Sequence, residues 1–135
     1  MLYGEEHVRR YEETDGEEGH IWVNNVPCLI LATKGRKTGK EYKSPLIYQK
    51  VDGGYAIVAS KGGAPDHPQW YKNLTAQPEV RVQVGAEKFT AKARTVEGQQ
   101  RQELWSKMAE VWPQYNEYQT KTDREIPVVL LEPVA

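Results

Sequence analysis

The chain has 135 residues, 39% of them hydrophobic and 27% charged, with a formal net charge of −1. These values describe one soluble globular domain, long enough to bury roughly two-thirds of its surface. They exclude a membrane span, which needs roughly 18 consecutive apolar residues, and a general nucleic-acid binder, whose basic stripe would dominate the domain.

Residues 2–14 read as a charged helix with a thin apolar stripe of Leu2, His7, Val8 and Tyr11. Residues 1–20 carry seven acids against Arg9 and Arg10, so this end is expected to be mobile or peripheral. The same charge rules out a signal peptide. Cys28–Lys34 is a strand without alternation, hence buried on both faces. Cys28 is the sole cysteine, which excludes an internal disulfide framework and reads as a core thiol. A cytoplasmic protein is expected.

The turn GRKTGK follows, and Lys34, Arg36, Lys37, Lys40 and Lys43 crowd into it with only Glu41 opposing them. A concentrated positive loop on a near-neutral protein is the electrostatic form of an anion site. Gly35 and Gly39 let its backbone approach a ligand closely. The plain alternative is a solvated basic turn.

Ser44–Lys50 is the second strand, Asp52-Gly53-Gly54 a hairpin turn, and Tyr55–Ser60 the third strand. SKGGAPDHP is irregular, and Asp66 is placed to cap a helix starting near Pro68 and stopping before Pro78. Val80, Val82 and Val84 alternate with polar residues in a half-buried strand that Gly85-Ala86 turns back into Glu87–Arg94. Glu97–Trp112 is a helix with Leu104, Met108 and Val111 on one face. Gln114–Lys121 is a short helix, and Ile126–Leu131 a final apolar strand. About six strands joined mainly by hairpins favour an antiparallel sheet or barrel with peripheral helices, an α+β layout.

Standard chemical motifs fail. Gly35 and Gly39 enclose three residues instead of the phosphate loop's four, and no GxGxxG or GxSxG is present. His7, His20 and His67 are scattered, so no metal site is expected. Asp66 and His67, adjacent in sequence, read as a cap and a loop-packing residue.

Three segments together resemble the deazaflavin-dependent nitroreductase family of split-barrel proteins. They are TKGRKTGKxxxxPLIY (Thr33 to Tyr48), IVASKGGAPDHPQWYKNL (Ile57 to Leu74) and YNEYQTKTDREIPVVLLEP (Tyr115 to Pro133). The resemblance implies a single split-barrel domain over residues 1–135, with 1–25 as an N-terminal helix and linker. It also implies coenzyme F-420, an 8-hydroxy-5-deazaflavin with a ribityl phosphate and an oligoglutamate tail. Carried onto this chain, Arg36, Lys37 and Thr38 meet the phosphate region. Tyr42, Lys43, Ser44, Pro45, Leu46, Ile47 and Tyr48 line the coenzyme. Val58, Ala59, Ser60 and Lys61, with Gln69, Trp70, Tyr71, Lys72 and Asn73, surround its ring and ribityl chain. Tyr115 faces the substrate and is the expected catalytic residue, assisted by Ser60; Tyr118 and Trp112 belong to the substrate side. Many relatives have GxPR where this chain has GKEY, so Tyr42 replaces an Arg, leaving Lys43 to supply the charge or the tail more loosely held.

The implied reaction is hydride transfer from the reduced coenzyme to a small electron acceptor: a quinone, an activated enone or a nitroaromatic compound. An FMN-dependent enzyme on the same barrel, or a carrier or sensor without turnover, stays open at this point. So do a homodimer and a peripheral membrane contact, although the first helix is too acidic for a convincing anchor. For Trp70 and Tyr71 the plain alternative is core packing. Asp123 and Arg124 read as a structural ion pair or turn.

Overall fold

Apolar residues occupy both faces of the central strands, so each face of the sheet needs its own cover. The computed structural model describes residues 2–134. Four helices are present among them: α1 (Gly4–Glu13), α2 (Gln69–Ala76), α3 (Gly98–Val111) and α4 (Gln114–Thr120). The strands are β1 (Cys28–Lys34), β2 (Glu41–Ile47), β3 (Gln49–Val51), β4 (Gly54–Val58), β5 (Glu79–Val84), β6 (Glu87–Thr95) and β7 (Val128–Pro133). They form one antiparallel sheet in the order β2-β1-β5-β6-β7-β4-β3.

That order dictates a rolled sheet. β2 and β3 are its two edges, yet Tyr48 alone separates them in sequence. The edges must therefore meet, and β2 does approach β4. The result is a split barrel. Its interior holds Leu29 and Leu31 of β1, Ile57 of β4, Val129 and Leu131 of β7, Tyr48, Tyr55, and Leu74 of α2. The alternate residues Ala56, Val58, Val128 and Leu130 face outward and pack with Leu104 and Met108 of α3 and Tyr115 of α4. On the other flank, Val8 and Tyr11 of α1 pack with Ile30. Double-sided burial is why β1, β4 and β7 read as unbroken apolar runs.

Several expectations are corrected. The strand expected over Ser44–Lys50 begins at Glu41 and breaks at Tyr48. The basic turn closes tightly, with Gly35 N–H donating to Lys40 O at 2.7 Å, which brings Glu41 opposite Lys34. At Tyr48 the chain changes partner from β1 to β4, so there are seven strands instead of six. Asp66 caps nothing: Pro68 is the residue before α2, and no side chain caps that end.

The N-terminal helix is not a loose end either. Tyr11 is fully buried; its hydroxyl donates to Cys28 O at 3.0 Å and accepts from Gly85 N at 2.6 Å. His7 Nε2 donates to Gly19 O at 2.8 Å, and Trp22 Nε1 to Leu2 O at 2.8 Å. Specific polar ties compensate for the small apolar stripe.

Candidate active site

The basic turn between β1 and β2 is held from below by α2. Asn73, 4% exposed, accepts at Oδ1 from the Arg36 backbone N–H at 3.2 Å and from Arg36 Nη1 at 2.8 Å. Its Nδ2 donates to Thr33 Oγ1 at 3.4 Å. Gln69 Oε1 accepts from Arg36 Nη2 at 2.9 Å. One helix thus fixes both backbone and side chain of the turn's arginine with neutral partners, leaving its charge intact. Gly35 suits this close approach: a Cβ on it would lie 2.6 Å from the Tyr42 ring and 2.8 Å from Thr38 Oγ1, so both side chains would have to shift.

Above this bracket lies a cavity of about 480 Å³. Arg36, Lys37, Thr38, Tyr42, Lys43 and Ser44 line it from the turn and β2, and Gln69, Trp70 and Asn73 from α2. Among the described residues, neither Arg36 nor Lys37 forms an ion pair. Lys43 is different, because its Nζ sits 2.5 Å from Glu12 Oε2 and 3.9 Å from Glu41 Oε1. The cation expected to replace the family arginine is therefore already engaged by α1. The free donors suit phosphate and carboxylate groups.

A second cavity of about 440 Å³ adjoins the first, and Trp70 lines both. Pro45, Leu46 and Ile47 of β2 and Val58 of β4 contribute to its lining, with Ser60, Lys61 and Gly62 of the following loop. Trp112, Tyr115 and Tyr118 line it from the end of α3 and from α4, and Tyr3, His7 and Trp22 from the N-terminal segment. Trp22 and Trp112 lie 6.0 Å apart, tilted by 31°, and Trp112 Nε1 donates to the Tyr118 hydroxyl at 3.3 Å. The chamber is largely aromatic and aliphatic, which suits a flat heteroaromatic ring.

Tyr115 is 5% exposed, and its hydroxyl has no hydrogen-bond partner among the described residues. Burial raises its pKa well above the ordinary tyrosine value. It therefore stays protonated, a fixed donor and a poor acid. Cys28 also reaches this chamber, but burial pushes its thiol up to about 12, so it is inert.

Some expected site residues line neither cavity. Tyr48 points into the barrel, where its hydroxyl meets His20 Nε2 at 2.8 Å. Ala59 is fully buried. Tyr71 packs on the inner core and pairs its hydroxyl with Thr95 Oγ1 at 2.9 Å. Lys72 lines neither cavity, and its charge acts on His67. Sequence reasoning missed Tyr3, His7 and Trp22. The signal for two of them was present: Tyr3, His7 and Tyr11 recur every fourth residue on one helix face. Trp22 follows a glycine-rich break and carries no such pattern.

The chain was compared with known proteins. The family model of the F420H(2)-dependent quinone reductases matches residues 3–133. An F420H(2)-dependent quinone reductase of Mycobacterium tuberculosis is 39% identical over 128 residues, covering 93% of this chain and 86% of that protein. A solved F420-H2 dependent reductase, FDR-A, shares 47% identity with a TM-score of 0.73, covering 78% of this chain and 94% of its own. A structure described as a domain-swapped dimer shares 43% identity with a TM-score of 0.75, covering 93% of this chain and 96% of its own. Heme-handling split barrels such as HutZ of Vibrio cholerae, at 18% identity and a TM-score of 0.63, share the fold alone. Deazaflavin is thereby favoured over FMN, and the protein is an oxidoreductase that takes hydride from reduced coenzyme F-420. With a basic cavity for anions beside an apolar one for a ring, and a family model spanning nearly all of it, the chain belongs to the F420H(2)-dependent quinone reductase family.

Proposed function

We propose that the acceptor is a quinone, and that the reduced coenzyme lies across both cavities with its anionic tail among Arg36, Lys37, Thr38 and Ser44 and its ring in the aromatic chamber. The observation that carries this reading is the continuity of the two cavities at Trp70. The coenzyme, when bound, supplies a hydride from C5 of its ring. The protein orients the acceptor against that face and excludes water from it. Tyr115 donates a hydrogen bond to the oxygen on which negative charge develops, and the proton that completes the hydroquinone comes from solvent. A phenol kept protonated by burial serves the first role and not the second. The paired aromatic walls favour flat acceptors, so activated enones and nitroaromatics share the same chemistry.

Two further features belong to this reading. No helix among the described residues is long and apolar enough to cross a membrane, which supports a cytoplasmic site of action on small diffusible acceptors. The relative described as a domain-swapped dimer supports a homodimer, which light scattering checks directly.

A side-by-side fluorescence titration with coenzyme F-420 and FMN, followed by menadione added to the reduced complex, tests the function. Tight deazaflavin binding with rapid reoxidation is expected. Preference for FMN, or binding without reoxidation, would overturn it.

A further inference from the structure

The loop that follows β4 places Ser60, Lys61 and Gly62 on the aromatic chamber, and its backbone is strained. Lys61, Gly62 and Gly63 are three successive residues in the left-handed region, at φ +48°, +63° and +84°. Glycine adopts this readily, but lysine does not. Such a conformation persists only where the surroundings over-determine it.

Arg124 supplies the determination. It lies between α4 and β7, and its guanidinium donates to Ala64 O from Nε at 2.8 Å, to Ala59 O from Nη1 at 3.2 Å and to Ser60 O from Nη2 at 2.7 Å. The three carbonyls bracket the strained residues on both sides. Arg124 forms no ion pair with Asp123 or any other described carboxylate; of the ion pair or turn expected there, the two residues form a bend, and the cation is ringed with carbonyls. Its own carbonyl accepts from Gln119 Nε2 at 2.8 Å. Gln119 belongs to α4, the helix that carries Tyr115 and Tyr118, so one residue joins two walls of the chamber, through its guanidinium on the loop side and its backbone carbonyl on the α4 side.

The fourth partner titrates. Arg124 Nη1 donates to His67 Nδ1 at 3.0 Å. Arginine cannot serve as the acceptor, so His67 must be neutral at Nδ1, with its proton on Nε2. Other groups that act on this imidazole are Lys72 of α2, which opposes a second positive charge, and Asp66, which favours one. The Tyr71 ring packs 4.9 Å away. Protonation of His67 would place two cations in contact and abolish the bond.

We propose that Arg124 is the positioning residue for the Ser60–Gly62 wall, and that His67 makes this clamp sensitive to pH. Burial, and then the charges of Arg124 and Lys72, hold the His67 pKa below the ordinary histidine value. The proton is therefore disfavoured in the folded state. The clamp is complete at neutral pH and loses its His67 contact, gaining a repulsive cation in its place, as pH falls through that lowered pKa. Its effect on turnover rests on the quinone-reductase reading, whereas the clamp itself does not.

The deciding experiment is an NMR titration of the protein without coenzyme, following the His67 ring and the amides of Ser60, Lys61 and Gly62. These amides should move with His67 ionisation in the wild type. They should stay still over that range in His67→Asn, whose amide oxygen replaces Nδ1 as an acceptor that does not titrate. Turnover with menadione should fall several-fold in the wild type as pH is lowered from neutral to well below the ordinary histidine value, and by clearly less in His67→Asn. Arg124→Met should lose roughly tenfold or more in kcat, with Arg124→Lys recovering part of it. Amides that ignore His67 ionisation in the wild type, or an acid transition that survives in His67→Asn, would overturn the proposal. Absence of any deazaflavin turnover would remove the functional reading instead, and the amide titration would still judge the clamp.

Discussion

Asn73 shows how an uncharged residue can hold a cation in place without cancelling it. It fixes Arg36 through two hydrogen bonds to one oxygen while leaving the guanidinium uncompensated. Bonds to charged groups contribute about 1.5–3 kcal/mol each, so Asn73→Ala should weaken coenzyme binding roughly tenfold or more. Asn73→Asp should weaken it further, because a carboxylate there would neutralise the cation meant for the anionic tail. Fluorescence titration of both variants checks this order. On the other side of the ring, Tyr115→Phe removes one donor and little volume. Turnover with menadione should fall by about one to two orders of magnitude while coenzyme affinity stays within roughly twofold. Full turnover in that variant would remove Tyr115 from the reaction. Charge alone marks Arg36 and Lys37 in the sequence as candidates for an anion, and the family resemblance singles out Tyr115; the structure places all three on the cavity walls. The resemblance also sets Tyr48 and Tyr71 beside the coenzyme, and local pattern does not reveal that both rings pack in the barrel interior.

At the scale of elements, α1 carries the clearest lesson. Its sequence is dominated by charge, and a hydropathy pattern cannot register that a single phenol bridges two strands' ends. The Tyr11 hydroxyl satisfies Cys28 O and Gly85 N–H together. Tyr11→Phe leaves both without that partner, which costs about 1–3 kcal/mol. A thermal melt should show the loss as a drop of several degrees in Tm. Because α1 also brings His7 to the chamber, KM for menadione should rise in the same variant. The break at Tyr48 was hidden for another reason. Leu46, Ile47 and Tyr48 continue to alternate between inner and outer clusters, so the side-chain period runs unbroken through the point where the backbone changes partner.

At the scale of the whole molecule, hairpin-linked strands without βαβ alternation pointed correctly to an antiparallel sheet. Closure into a barrel was not legible in local pattern, because it depends on which strands become edges. The charge distribution also acts at this scale. The formal net charge is only −1, so the molecule as a whole has little attraction for an anion, and in the proposed binding mode the coenzyme tail relies on the local basic turn. Exposed charges are screened over about 10 Å at 0.1 M salt. Coenzyme affinity should therefore fall as salt is raised, and more steeply for forms with longer oligoglutamate tails; titrations across a salt series read the slope. Ring-dominated binding would instead be nearly insensitive to salt.

One indole is common to the two cavities, since Trp70 belongs to the lining of both. Ligands on its two sides cannot be thermodynamically independent if either displaces it. By reciprocity, whatever factor the coenzyme's tail imposes on acceptor affinity, the acceptor must impose on the tail. With the tail placed as proposed and Trp70 displaced by either ligand, tail length would become a variable of substrate selection as well as of coenzyme retention, transmitted through a single shared ring.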